Sequence, residues 1–465
     1  MFTYELKGNG TAKITDYDWK GNTDTDVYVP KMVDGYTVTE IGENAFADAP
    51  EKKERITIVV PDGVTVIGDF AFAHSDGLSL VTLPASVQII GKGAFSDSEN
   101  LKVSVSSSNA TFATIDDVLF NKKDKALIYY SPVFASAVLI NTYVIPNGIK
   151  TIGAYAFYGV GKGNNRLFLT FPDSVTKIEE YAFYKCNVYG FPQNLSFIGD
   201  YAFFSSKTCD NVGGNTYTYL PETLTYIGAH AFEGADVHEL GSLRIPDSVK
   251  YIGESAFKNC DKSWYDHVNY ELSLHLPSSI SEIPAYCFEG MNIGASTNYK
   301  GATSNRLKEL EVHDPIQWPD NLRTIGAYAF SSVQFTIKKP DGLCPGIEFS
   351  ADDEFVLSLP DTLQTIQSGA FEKTRCSLYG LDFRIIVPEG VTSIADNAFS
   401  ESEAKIIELP ASITTVTAEG DGAFCDRTKT TLKVVPGSYM AIWAAENGYP
   451  TMDDSSSDLS WLEGD

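Results

Sequence analysis

A chain of 465 residues with 61 acidic and 35 basic side chains carries a formal charge of −26 at pH 7. A surface so negative repels phosphate, which excludes nucleic acid and anionic membrane surfaces as partners. No apolar run approaches the ~18 residues of a membrane span, so no membrane insertion is expected either.

The chain opens with two strand-like runs, 2–6 and 11–17, around Gly8-Asn9-Gly10. Asn-Gly at that place predicts a hairpin, and residues 1–26 are assigned to an N-terminal hairpin cap. Met1 is followed at once by Phe-Thr-Tyr-Glu, without the basic region and apolar core of a secretory leader. An exported protein would carry that leader upstream of this sequence.

From 27 to 436 one phrase recurs, in LPASVQIIGKGAF (83–95), IPDSVKYIGESAF (245–257) and VPEGVTSIADNAF (387–399). It appears thirteen times, with its Phe at Phe46, Phe72, Phe95, Phe157, Phe183, Phe203, Phe232, Phe257, Phe288, Phe330, Phe371, Phe399 and Phe424. Before the proline, apolar residues fall two apart (Leu243 and Ile245), the period of a strand with one buried face. After it the spacing becomes three (Val249 and Ile252), so the chain has left the strand and is turning. Proline suits the junction because it cannot donate to a ladder. Glycine follows the isoleucine in most copies (Gly42, Gly68, Gly253, Gly326), where a tight or left-handed corner is expected. Ala-Phe then turns inward, and the thirteen Phe side chains are the expected anchors of the core.

One unit cannot bury its own faces, but a stack can, which predicts a β-rich solenoid. The residue two before each proline points outward. That column is chemically mixed (Tyr28, Val144, Tyr219, Arg244, Glu408 among others) and names no ligand.

From Pro61 to Phe399 the Pro-to-Phe distance is always eleven, whereas Phe-to-Pro runs from nine to fifty-one. Insertions therefore enter at one edge. The longest, 101–143, carries strand patterns at 118–120 and 126–130 and is read as an inserted hairpin on the flank; 290–315 and 331–354 read as surface loops. The insertion DKSWYDHVNYE (261–271) is aromatic, and Trp264, Tyr265, His267 and Tyr270, with Tyr299 from the next insertion, are the candidate ligand-binding residues. Exposed rings stack on sugars or anchor protein partners; their bland alternative is to pin the insertion onto the flank.

Residues 437–452 read as a C-terminal helix cap, N-capped by Ser438, with Tyr439, Ile442 and Trp443 facing the core. The tail 453–465 is acidic, without a basic residue, and is expected to be disordered.

The repeat L-x-x-I-x-L-P-x-x-V-x-x-I-G-x-x-A-F resembles that of the BspA-like leucine-rich repeat family of bacterial surface proteins, over about 27–436. The resemblance implies a right-handed superhelix of about thirteen repeats with capped ends. It also implies an extracellular or cell-surface location and adhesion to an extracellular protein, of the host matrix or another bacterial surface. A glycan is the alternative ligand, and a polysaccharide-degrading enzyme the least favoured reading. No H-E-x-x-H, G-x-S-x-G or calcium-loop motif is present, so no catalytic residue, metal or cofactor is expected. Seven cysteines without a C-x-x-C pair favour buried thiols, with at least one disulfide as the alternative.

Overall fold

The computed structural model describes residues 1–20, 24–51, 55–132, 140–160, 166–186, 188–189, 192–206, 220–235, 243–260, 273–295, 297–300, 309–312, 314–337, 354–377, 382–417 and 424–453. They form a β-rich repeat protein with one helix among the described residues. The chain divides into two units, Met1–Val212 and Gly213–Asp465.

In the first unit each repeat contributes to two parallel sheets. Strands before the proline (Asp26–Tyr28, Ile56–Val59, Leu78–Leu83) form one, extended by Lys102–Val105 of the longest insertion, and short strands ending at the isoleucine (Tyr36–Ile41, Val66–Ile67, Ile89–Ile90) form another. Registers join equivalent residues, such as Ile41 to Ile67 and Ile67 to Ile90. The second unit repeats the plan, with Glu354–Ser358, Asp382–Ile386, Ile406–Leu409 and Thr431–Val434 in one sheet and Thr324–Ile325, Thr365–Ile366 and Ser393–Ile394 in another.

The third side is the Ala-Phe turn, and it has a ladder of its own. The N–H groups of Asn44, Phe46 and Asp48 donate to the carbonyls of Asp69, Ala71 and Ala73 in the next repeat, at 3.1, 2.7 and 3.1 Å. Tyr328, Phe330 and Ser332 do the same to Ser368, Ala370 and Glu372. Three peptide groups per turn thus point the same way along the stack. Reaching that alignment requires left-handed backbone two residues before and two after the phenylalanine, as at Asn44 (φ 54°) and Asp48 (φ 56°), or Tyr328 (φ 56°) and Ser332 (φ 57°). All thirteen repeat Phe side chains are buried. Their rings stack along each unit, Phe46 on Phe72 at 5.3 Å and Phe72 on Phe95 at 5.6 Å, then Phe257, Phe288, Phe330, Phe371 and Phe399 at 5.4–5.7 Å.

Of the two expectations for the glycine after the isoleucine, a tight or a left-handed corner, the left-handed one is not found. None of Gly42, Gly68, Gly253 and Gly326 has a positive φ. They are glycine because backbones meet there: a Cβ on Gly253 would lie 2.3 Å from the Ala229 nitrogen, and one on Gly326 2.5 Å from the Ile283 oxygen. A hydroxyl stitch at the proline corner also joins repeats. Ser174 Oγ accepts from the Gly148 N–H at 3.0 Å and donates to the Ile149 carbonyl at 2.7 Å.

At the start of the chain, Phe2–Lys7 and Thr11–Tyr17 pair antiparallel. Phe2, Tyr17 and Trp19 pack around Phe46, and Trp19 Nε1 donates to the Ala47 carbonyl, one of the aligned acceptors of the first turn. The helix Tyr439–Glu446 is N-capped by Ser438, but its inward face differs from the expected one. Met440 and Ala444 are buried, Trp443 reaches Phe424 at 5.6 Å, and Tyr439 and Ile442 are exposed. Side-chain volume decides here: the small Ala444 lets the helix sit close.

Three inserted segments do more than expected. Within 101–143, Ala126–Tyr130 pairs antiparallel with Val118–Asn121 but also parallel with Thr151–Ile152, so it lies within a sheet rather than beside it. Its Tyr129 and Tyr130 meet Phe95 and Phe157 at 5.7 and 5.0 Å, bridging the ring stack. The two later insertions, read as loops, contain strands: Asn292–Ala295 and Gln334–Ile337 pair parallel, then Gln334–Ile337 with Arg375–Ser377. Buried Ile293 and Phe335 hold them down.

Candidate functional site

Trp264, Tyr265, His267 and Tyr270 lie outside the described residues, as does Tyr219 of the outward column. Tyr299 sits on the strand Thr297–Lys300, which pairs antiparallel with Glu309–Val312 and sets Tyr299 opposite Leu310. In the outward column Tyr28 and Val144 are exposed, at 67% and 66%, whereas Val59, Thr82 and Glu408 are only partly exposed.

The sequence reading passed over a second aromatic pattern. The turns read AYAFY at 154–158, EYAFYK at 180–185 and DYAFF at 200–204. In each, a tyrosine occupies the left-handed position two before the buried Phe (φ 60° at Tyr155, 55° at Tyr181 and Tyr201). Since the Cβ direction is fixed by the backbone, these side chains project from the same edge of successive turns. Tyr155, Tyr181 and Tyr201 stack at 4.7 Å, within 8° of parallel. One residue beyond the buried Phe, Tyr158, Tyr184 and Phe204 form a second column at 4.7 and 4.9 Å. Rings of the two columns in one turn are tilted 30–48° at 5.5–5.7 Å, so the columns flank a shallow V. Phe70 extends the first column, meeting Tyr155 edge-on at 5.1 Å. Between them lies Gly93, whose missing side chain leaves room for the Phe70 ring; a Cβ there would be 2.5 Å from Phe70 Cε1.

All of these rings are partly exposed, and carboxylates stand beside them. Burial chiefly raises the Tyr155 and Tyr181 hydroxyl pKa values, with neighbouring tyrosines, Glu180, Asp69 (at Tyr155) and Asp200 (at Tyr181) adding to the rise. Tyr158 is pushed up to about 12, first by burial and then by Asp97. The phenols therefore stay protonated and neutral at physiological pH. Lys92 pairs with Glu180 at 2.7 Å, His74 with Asp97 at 3.1 Å, and Lys185 Nζ stands 5.1 Å from the Tyr184 ring centre.

In the second unit the outer face of the pre-proline sheet carries alternating charge. Arg384 bridges Glu354 and Glu408, and Glu408 also holds Lys433. Such a ladder neutralises itself and offers no anchor. Cys186, Cys287, Cys376 and Cys425 are unpaired thiols, and burial raises Cys186 and Cys287 well above the ordinary thiol range. Among the described residues no group of three or more His, Cys, Asp or Glu could hold a metal ion, and no helix is long and apolar enough to cross a membrane.

Comparison with known families gives a match to the BspA type leucine rich repeat region over residues 39–132, 128–264, 261–339 and 354–440. No curated protein matches the chain. Among solved structures, a leucine rich cell surface protein of Faecalibacterium prausnitzii is 18% identical with a TM-score of 0.35, covering 99% of this chain and 95% of that one. A leucine-rich repeat protein of Bacteroides ovatus is 16% identical with a TM-score of 0.28, over 97% and 98% of the two chains. The pneumococcal vaccine antigen PcpA is 14% identical with a TM-score of 0.24, over 97% and 96%.

Proposed function

Since the chain belongs to the family of BspA type leucine rich repeat proteins, we propose that it is a non-catalytic binding protein of the bacterial surface or the extracellular space, acting by adhesive protein–protein recognition. In this reading the thirteen repeats stack as a solenoid, and binding residues sit on its outward columns and on the insertions at one edge, including Trp264, Tyr265, His267, Tyr270 and Tyr299. The observation that supports it best is a division of labour in the repeat. Its recurrent residues are packing residues, all thirteen Phe among them buried, while chemical character varies only on the outside. A rigid frame with variable outward positions is how binding surfaces are commonly mounted.

The test presents the immobilised protein with purified extracellular-matrix proteins, extracts of other bacterial surfaces and a glycan array. Saturable binding to at least one protein is expected. Binding confined to glycans would shift the assignment to a carbohydrate-binding module. Release of sugars from a polysaccharide would overturn the non-catalytic reading.

A further inference from the structure

We propose that the two aromatic columns of the first unit, with the carboxylates beside them, bind an extended segment of a partner protein through its arginine or lysine side chains. This rests on the protein-binding reading above and gives it a partner chemistry.

The first argument is conformational. The left-handed position two before the buried Phe is cheapest for glycine or asparagine, and this chain uses them at Asn44, Gly93, Gly369 and Asn397. Tyr155, Tyr181 and Tyr201 occupy it in three turns of the first unit, holding bulky rings at φ 55–60°. Burial does not require this, because the rings are partly exposed and the repeat core is closed beneath them by Phe157, Phe183 and Phe203.

The second argument is which part of each ring is open. Within a column every inner face is covered by the next ring at 4.7–4.9 Å. Sugars and nucleobases bind aromatic residues by stacking on faces, so neither suits a column whose faces are taken. What remains is a strip of ring edges and neutral hydroxyl groups, bordered by carboxylates. Asp69, Asp97, Glu180 and Asp200 all act on ladder tyrosines; Glu180 and Asp97 already hold Lys92 and His74, so an incoming cation joins these exposed pairs or exchanges with them. An arginine or lysine side chain has the matching form, an apolar stem for the ring edges and a cationic head for the carboxylates. The molecule's charge of −26 favours the same sign of partner.

The probe is a fluorescein-labelled peptide alternating arginine and glycine over about twelve residues, long enough when extended to pass every rung. Its anisotropy is read against the full chain at physiological salt. In one variant Tyr155, Tyr181 and Tyr201 are all changed to Asn, the residue that the same position accepts at Asn44 and Asn397, so the fold is kept. A second variant is Asp97→Asn with Asp200→Asn, and a control replaces the stacked pair Tyr226 and Tyr251 of the second unit by Ser. The tyrosine variant is expected to lose affinity about tenfold or more, as for a central interface cluster. The carboxylate variant should also weaken binding, and the control should match the parent. Equal affinity in the parent and the tyrosine variant would overturn the proposal, because binding would then be general attraction to an acidic protein. So would failure of the parent to bind the probe, or an oligosaccharide that displaces the probe and is itself lost in the tyrosine variant. A parent that captures a matrix protein but ignores the probe would sink this inference alone.

Discussion

Phe203→Ala is expected to destabilise the first unit by ~3–5 kcal/mol, the usual penalty for emptying a large core site. The ring is 1% exposed and stacks on Phe183 at 5.2 Å, so no neighbouring side chain is free to fill the void without disturbing the next rung. Its backbone environment is fixed as well, since the preceding turn hangs on this one through the Phe183 N–H to Ala202 carbonyl bond at 2.7 Å. Tyr28→Ala removes a ring of similar size from the outward column, where it is 67% exposed. That change should cost under ~1 kcal/mol, the range of β-propensity and surface effects. Urea melts of both variants decide the matter. Equal losses would mean that the inward and outward registers are wrongly assigned.

The second large effect concerns a methyl group added rather than a ring removed. In Gly253→Ala the new Cβ would stand 2.3 Å from the Ala229 nitrogen and 2.5 Å from its Cα. Both are backbone atoms, so relief requires the two repeats to move apart and lengthens the Gly253 N–H to Ile227 carbonyl bond, now 2.9 Å. A cost of ~1–3 kcal/mol or more is expected from such overpacking. Gly8→Ala serves as the control, because a Cβ there meets nothing within 4 Å and the φ is not left-handed. A thermal midpoint for Gly253→Ala equal to that of Gly8→Ala would show that the glycine column is not set by close approach.

How much of this was legible beforehand depended on whether a feature announces itself in local residue choice. The buried Phe positions did, because apolar spacing changes from two to three at each proline, as from Leu243 and Ile245 to Val249 and Ile252. The left-handed positions did not. Phe70, Tyr155 and Ser255 have no strong preference for positive φ; the hydrogen bonds to the next repeat impose it, and that is a tertiary effect. Glycine after isoleucine is legible as a need for permissive backbone, but its form is not, since the constraint is a backbone 2.3–2.9 Å away rather than a dihedral angle. The insertion strands Asn292–Ala295 and Gln334–Ile337 were too short for alternation to stand out, although Ile293 and Phe335 are their buried signature. The aromatic columns were in plain view as AYAFY, EYAFYK and DYAFF. Their alignment is not a property of any one repeat, and only the stacking of turns puts Tyr155, Tyr181 and Tyr201 in one line.

The claim on which the rest depends is that an Ala-Phe turn is a rung bonded to the next through three aligned amides, as at Phe157 and Phe330. Native-state hydrogen exchange measures this directly, residue by residue. Tyr155, Phe157 and Gly159 in the first unit, and Tyr328, Phe330 and Ser332 in the second, each donate to the following repeat at 2.7–3.1 Å. Their six amides should fall in the slowest-exchanging class, together with those of the flanking short strands, and open only with their unit. Exchange of these amides at the rate of an unfolded chain, while the strand amides stay protected, would contradict the account.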